Sequence, residues 1–251
     1  MALAMHPTRS EGELVSCIMA TGGRPDFFRQ ALRYFLLQTY RPAELIVVDD
    51  GDEPVGAQCG GLEAVRYVRL PGPASTGAKL NTAIEHARGD LLQKWDDDDY
   101  YHSDFLKTAV SHMPIENRDH CLAAWDCFLI LIAGEGRLRF SGHGWTIGNT
   151  LLFTRRFWAK APFRDVSRGV DTHFLRDRQG NLIRICAPEQ CIVVRHGRNT
   201  WTDMRSGEPV DHYFRRFPFY KKPAAEILEP QDWAFYETLP PAESSVTTTM
   251  P

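Results

Sequence analysis

The chain has 251 residues, 43% hydrophobic and 24% charged, a balance that supports a full buried core in one large domain or two small ones. Its 29 Lys and Arg against 32 Asp and Glu leave a formal charge of −3, so it carries no basic footprint and no nucleic-acid partner is expected. No run approaches the roughly 18–20 apolar residues of a membrane span, so no transmembrane segment is predicted, while a peripheral membrane association stays open.

Residues 1–12 and 239–251 lack apolar periodicity, the latter being rich in Pro, Ser and Thr, and both are expected to be disordered. LVSCIMA (14–20) is continuously apolar and reads as a buried strand, broken at Thr21-Gly22-Gly23 before Pro25 opens a helix. Phe28, Ala31, Leu32, Phe35 and Leu36 fall on one face of that helix. LIVV (45–48) is a second strand, closed by Asp49-Asp50-Gly51-Asp52 and a polar turn to Gly61. VRYVRL (65–70) alternates as a third strand and stops at Pro71-Gly72-Pro73. The next helix has Ser75 or Thr76 as its cap, a stripe of Leu80, Ala83, Ile84 and Ala87, and Gly89 as its stop.

DLLQKW (90–95) is the fourth strand, and Ser103 is the expected cap of a helix to about Met113. Beyond it AWDCFLILIA and RLRF read as two strands around Gly134-Glu135-Gly136, residues 155–160 and 171–178 as short helices, and IRIC and CIVVR as late strands. Strand-helix alternation predicts an α/β fold with a Rossmann-like, mostly parallel central sheet, helices on both faces, and a smaller mixed region. The six cysteines (17, 59, 121, 127, 186 and 191) include no CxxC pair, and no Cys or His cluster stands out as a zinc site. They are expected to be reduced thiols of a cytoplasmic protein, the N-terminal MALAMHPTRSEGE being unlike a secretory signal.

Asp96 to Asp99 end the fourth strand, and Asp49-Asp50 end the second. Packed carboxylates raise one another's pKa, and a hard divalent cation is the usual remedy. The alternative is a solvated acidic loop, although this run is wedged between Trp95 and Tyr100-Tyr101. Ligands of open α/β sheets bind beyond the carboxyl ends of strands, where both motifs lie. A calcium loop does not fit, because neither motif has the alternating ligand order.

VSCIMATGGRPDFFRQALRYFLLQTYRPAELIVVDDG and TGAKLNTAIEHARGDLLQKWDDDDYYHSDFL, with weaker likeness in GNTLLFTRRFW, GVDTHFL and VVRHGRNTW, resemble family 2 glycosyltransferases of the GT-A type. The resemblance implies an inverting, metal-dependent transfer of a sugar from a nucleotide-diphospho-sugar donor to a saccharide or other hydroxyl acceptor, with Mn²⁺ or Mg²⁺ as cofactor. It makes residues 13–115 the nucleotide-sugar-binding half and 116–238 the acceptor-binding half of one domain. By position it assigns Thr21, Asp50, Lys79 and Asp96 to the nucleotide-sugar, Asp98 to both ribose and metal, and Asp99 and His196 to the metal. Arg195 and Arg198 are implied for the phosphates and Asp171 as catalytic base.

Structural alternatives stand beside several of these: Lys79 as a solvent-facing helix residue, Asp171 as a helix cap, His196 as hydrogen-bonded framework, and Trp145 and Trp201 as core rather than acceptor-stacking aromatics. Two positions depart from the family pattern, Leu80 where an Arg commonly precedes Asn81, and Val170 where a Glu commonly precedes Asp171. These departures motivate a non-catalytic nucleotide-sugar-binding protein as one alternative. A sugar nucleotidyltransferase is another, requiring a Gly-rich phosphate loop with a following Arg that TGGRPDFF only faintly suggests.

Overall fold

The computed structural model describes residues 12–177, 180–204 and 206–241, so most of the two terminal segments expected to be disordered lies outside the described residues. β1 (Val15–Thr21) is followed by α1 (Pro25–Leu36), with Pro25 in the first turn where a missing N–H costs nothing. Then come β2 (Ala43–Asp49), a one-turn α2 (Gly56–Cys59) inside the expected polar turn, β3 (Val65–Arg69) and α3 (Thr76–His86). Ser75 caps α3, its Oγ accepting the Ala78 N–H at 3.1 Å. β4 (Leu91–Lys94) and the short β5 (Tyr100–Tyr101) flank the aspartate run and lead to α4 (Phe105–His112). Asp104, not Ser103, precedes α4, and its carboxylate accepts from Thr39 Oγ1 at 2.6 Å instead of capping the helix.

β6 (Cys121–Trp125), β7 (Leu129–Ile132), β8 (Leu138–Phe140), β9 (Leu152–Thr154), α5 (Arg155–Ala159), α6 (Val170–Arg176), β10 (Asn181–Ile185), β11 (Cys191–Arg195), α7 (Val210–Phe214) and α8 (Pro230–Glu237) complete the chain. Seven strands form one sheet in the order β10-β6-β9-β4-β1-β2-β3, all pointing the same way except β9. A second sheet runs β5-β11-β7-β8. The run 124–133, expected as one strand, is two: the chain leaves the large sheet after Trp125 and enters the small one at Leu129. Both pieces are fully buried, so hydrophobicity alone does not reveal the change of sheet.

The pleat divides the core. Cys17, Met19, Leu45 and Val47 pack toward α1 and α4, while Ile18, Ile46, Val48 and Leu92 meet Leu80, Ala83 and Ile84 of α3. Each of the Leu, Ile, Val and Met side chains among them contributes roughly 1.5–3 kcal/mol on burial. On α1 the buried face is wider than expected. α8 packs on its flank, where Gln30 and Arg33 donate to Asp232 and Tyr34 meets Tyr236, so Phe27 and Tyr34 are buried while Leu36 stays 41% exposed.

At the end of the sheet away from the aspartates, Glu44 of β2 accepts from Ser16 Oγ at 2.6 Å and from the Arg88 backbone N–H and Nε at 2.7 Å each. Burial opposes its charge, but these bonds prevail and hold the carboxyl below its ordinary 4.5. A lowered folded pKa stabilises above the unfolded value and loses that contribution as pH falls through the folded one. Glu44→Gln is therefore expected to lose roughly 1–3 kcal/mol in urea unfolding at pH 7, with the gap to the parent closing below about pH 4.5. A gap independent of pH would refute the ionic part.

Candidate functional site

β4 lies between β1 and β9, so the turn that follows it emerges beside the tip of β1. Thr21 Oγ1 donates to Asp97 at 2.6 Å, and Arg24, between β1 and α1, reaches both Asp97 at 2.5 Å and Asp98 at 2.6 Å. Asp98 also meets His196 Nε2 and Asn199 Nδ2, each at 3.2 Å. Asp99 points inward and accepts from Asn149 Nδ2 at 2.6 Å and the Val194 N–H at 2.9 Å. Asp96 accepts from Lys94 Nζ at 2.5 Å. The run is thus ordered framework, not a solvated loop, with Trp95 stacked on Tyr101 beneath it at 4.0 Å.

Among the described residues Arg24 pairs with Asp97 and Asp98 and Lys94 with Asp96, while Asp99 has no ion-pair partner. Burial, then Asp98 and Asp96, push Asp99 well above the usual carboxyl range. Burial raises Asp97 to about 6 against the pull of Arg24. Asp98 goes the other way: burial opposes its charge, but Arg24 and His196 hold it well below the usual range. One ligand oxygen each from Asp96, Asp98 and Asp99 lies within 4.8 Å of the others. An all-oxygen, electron-rich set of this kind fits Mg²⁺ or Mn²⁺.

His196 reaches this group only through Asp98. Its Nδ1 accepts the Arg198 N–H at 3.3 Å, which leaves the ring proton on Nε2 facing Asp98, and its ring packs on Phe27 at 4.0 Å. Direct ligation by Nε2 would require loss of that proton and of the bond to Asp98.

A cavity of about 1130 Å³ opens at these strand tips, and every site residue predicted from sequence lines it except Asp50 and His196, which stand behind Lys79 and Asp98. Lys79 is not a solvent-facing helix residue. It is buried and donates to Asp50 at 2.7 Å and to the Thr21 carbonyl at 2.9 Å, clamping the tips of β1 and β2 together. Asp49, in contrast, binds the Gly51 and Val55 N–H groups and Tyr67, and belongs to the turn. Arg195 spends its Nε on Asp211 and one terminal nitrogen on the Trp201 carbonyl, while the Arg198 guanidinium lies 5.3 Å over Phe27. Trp145 sits among Phe128, Tyr213, Phe214 and Phe217; Trp201 is 42% exposed on the cavity rim.

Asp171 lines the same cavity from the first turn of α6. Gly169, at φ 67°, occupies the N-cap position, and Asp171 makes no capping bond. Its Oδ1 is buried without a hydrogen-bond partner among the described residues, 3.4 Å from Lys94 Nζ. Gly148 packs so closely on this carboxylate that a methyl group there would overlap it. Lys94 thus bridges Asp96 and Asp171. Burial disfavours its charge, but these two carboxylates raise its pKa and keep it an ammonium. Leu80 and Val170, the two departures from the family pattern, are both core residues of the α3 and α6 face.

Lys94, Arg24, Asn149 and Asn199 were not singled out from sequence. A lysine inside a buried strand immediately before four aspartates was a usable signal for Lys94; the two asparagines carried none.

Residues 16–165 match the family described as glycosyl transferase family 2. Among solved structures, the mannosyltransferase PcManGT of Pyrobaculum calidifontis in complex with GDP-Man and Mn²⁺ is similar at 18% identity and TM-score 0.57, over 74% of this chain and 58% of that one. TarS 1-349 of S. aureus in complex with UDP-GlcNAc is similar at 15% identity and TM-score 0.55, over 74% and 60% respectively. The same protein with UDP gives 16% and 0.54, over 72% and 60%. The chain therefore spans about three-fifths of the length of these structures, and at such identities the likeness is one of fold. A sequence comparison with curated proteins gave no match.

Proposed function

The chain belongs to glycosyl transferase family 2, and on that premise we propose that it moves a sugar from a nucleotide-diphospho-sugar to a hydroxyl acceptor, with inversion at the anomeric carbon and with Mn²⁺ or Mg²⁺ bound. The observation that carries this reading is one cavity lined both by the Asp96, Asp98 and Asp99 group and by Asp171, whose buried Oδ1 has no hydrogen-bond partner among the described residues. GDP-Man with Mn²⁺ and UDP-GlcNAc in the similar structures support a nucleotide-sugar donor.

Residues 13–115 supply the donor side in this reading, and 116–238 the acceptor side. Thr21 and Asp50 at adjacent strand tips receive the base and ribose, with Lys79 fixing Asp50 for that purpose. Asp96, Asp98 and Asp99 would hold the divalent ion, with His196 orienting Asp98; when bound, the ion supplies Lewis acidity toward the leaving diphosphate. Arg195 and Arg198 add positive charge on the same rim. Asp171 accepts the acceptor's hydroxyl proton as the oxygen bonds to the anomeric carbon; the bond to phosphate oxygen breaks and its electron pair leaves with the nucleoside diphosphate. Lys94 positions Asp171 through their ion pair. Arg24, already committed to Asp97 and Asp98, is not a free phosphate-loop arginine, which weighs against a nucleotidyltransferase. Six free thiols suit a cytoplasmic setting.

Thermal melting with each common nucleoside diphosphate, with and without Mn²⁺, tests the reading. One of them is expected to stabilise the protein only when Mn²⁺ is present, by about 2.7 kcal/mol at a hundredfold excess over Kd, and chelation reverses it. A flat response to all of them overturns it.

A further inference from the structure

Beyond the cleft, the fold gathers a second set of ligating side chains whose sequence spacing announces nothing, Cys127 and Cys186 being 59 residues apart. β6 and β10 are parallel neighbours with Trp125 opposite Ile185, so Asp126-Cys127 and Cys186 leave the large sheet side by side. The segment after β8 returns over the same edge: Phe128 N–H donates to Ser141 Oγ at 3.0 Å, and Trp145 N–H to the Asp126 carbonyl at 3.0 Å. Gly142 and Gly144, at φ 75° and 87°, shape the turn around His143. We propose that Asp126, Cys127, His143 and Cys186 form a structural zinc site.

One ligand atom from each of the four lies within 4.8 Å of the others. Cys127 Sγ is 3.6 Å from Cys186 Sγ, which is 3.8 Å from His143 Nδ1. Tetrahedral zinc, with Zn–S near 2.3 Å and Zn–N near 2.0–2.1 Å, requires an S···S edge of about 3.8 Å and an S···N edge of about 3.6 Å, so both measured edges agree within about 0.2 Å. A second observation is independent of these distances: Asp126 Oδ1 is buried with no hydrogen-bond partner among the described residues. Two thiols, an imidazole and a carboxylate select zinc over the hard ions suited to the cleft. Binding releases the two thiol protons to solvent and leaves the imidazole neutral, and four protein ligands leave no open position for catalysis.

The site would staple the point where the chain changes sheets to the 141–147 loop. That loop continues directly into Gly148, against Asp171, and Asn149, bonded to Asp99. Zinc occupancy would thus fix the cavity wall at the proposed base.

The full-length protein, stripped with a chelator and titrated with ZnCl2 alone, provides the test, with bound metal counted after free ion is removed and Co²⁺ used as an optical reporter. The expected result is one zinc per chain, retained by Asp98→Asn, with a thiolate-to-cobalt absorption band and a melting temperature restored by zinc. Cys186→Ser and His143→Ala, both exposed positions, are expected to lose the ion while keeping the parent circular dichroism spectrum. Undiminished zinc in Cys186→Ser, failure of the stripped protein to take up zinc, or a Cys127–Cys186 disulfide in freshly isolated protein would each overturn the proposal.

Discussion

Asp171→Asn is expected to lower the turnover of sugar transfer by about 10²–10⁴-fold while nucleoside diphosphate and Mn²⁺ affinities stay within a few-fold of the parent. Asn keeps the size of the side chain, so the contact with Gly148 survives, but it cannot take the acceptor's proton and no longer pairs with Lys94. Neither Asp98 nor Asp99 depends on Asp171 for a hydrogen bond. Steady-state rates with a matched donor, alongside titration of nucleoside diphosphate and metal, separate the two effects. Turnover retained within a few-fold would remove Asp171 from the chemistry and favour a binding protein or another base.

Lys94→Met is expected to destabilise the fold by about 3–5 kcal/mol, because a buried ammonium is lost and both of its carboxylate partners remain. The sign with pH is defined. The ammonium's pKa is raised above the ordinary 10.5, so its contribution is fully present below that value and is lost only as pH climbs through the folded one. The deficit at pH 7 is therefore the full one. In the variant, Asp171 also loses the ammonium 3.4 Å from its Oδ1 that positions it, so kcat/KM is expected to fall as well. Urea unfolding and kcat/KM measure the two consequences. An unchanged midpoint together with an unchanged kcat/KM would mean that Lys94 neither supports the fold nor positions the base.

The first hundred residues were largely legible because each strand and helix there has its own periodicity and its own punctuation, from Pro25 to the Ser75 cap. The aspartate run was legible for the same reason, a local anomaly in charge. What escaped was set by tertiary neighbours. The segment 124–133 is apolar on both sides of its break, so only pairing with β10 and then β11 reveals two strands. α8 decides which face of α1 is covered. Asn149 and Asn199 are ordinary loop residues until the fold brings them to Asp99 and Asp98, 50 and 101 positions away. The cysteines of the proposed zinc site were invisible on the same account.

β4 lies beside β1 rather than beside β3, so the cleft is closed by contacts between residues far apart in the chain. Thr21 and Asp97 are 76 residues apart, and Asp99 further depends on Val194, 95 residues beyond it. In an unfolded chain the four aspartates are hydrated and their repulsion is weak, whereas the folded protein crowds them and holds Asp99 with donors from Asn149 and Val194. A nascent chain that has emerged only as far as α4 would lack the Asn149 and Val194 donors, so the acidic centre belongs to the finished protein and not to its amino-terminal half.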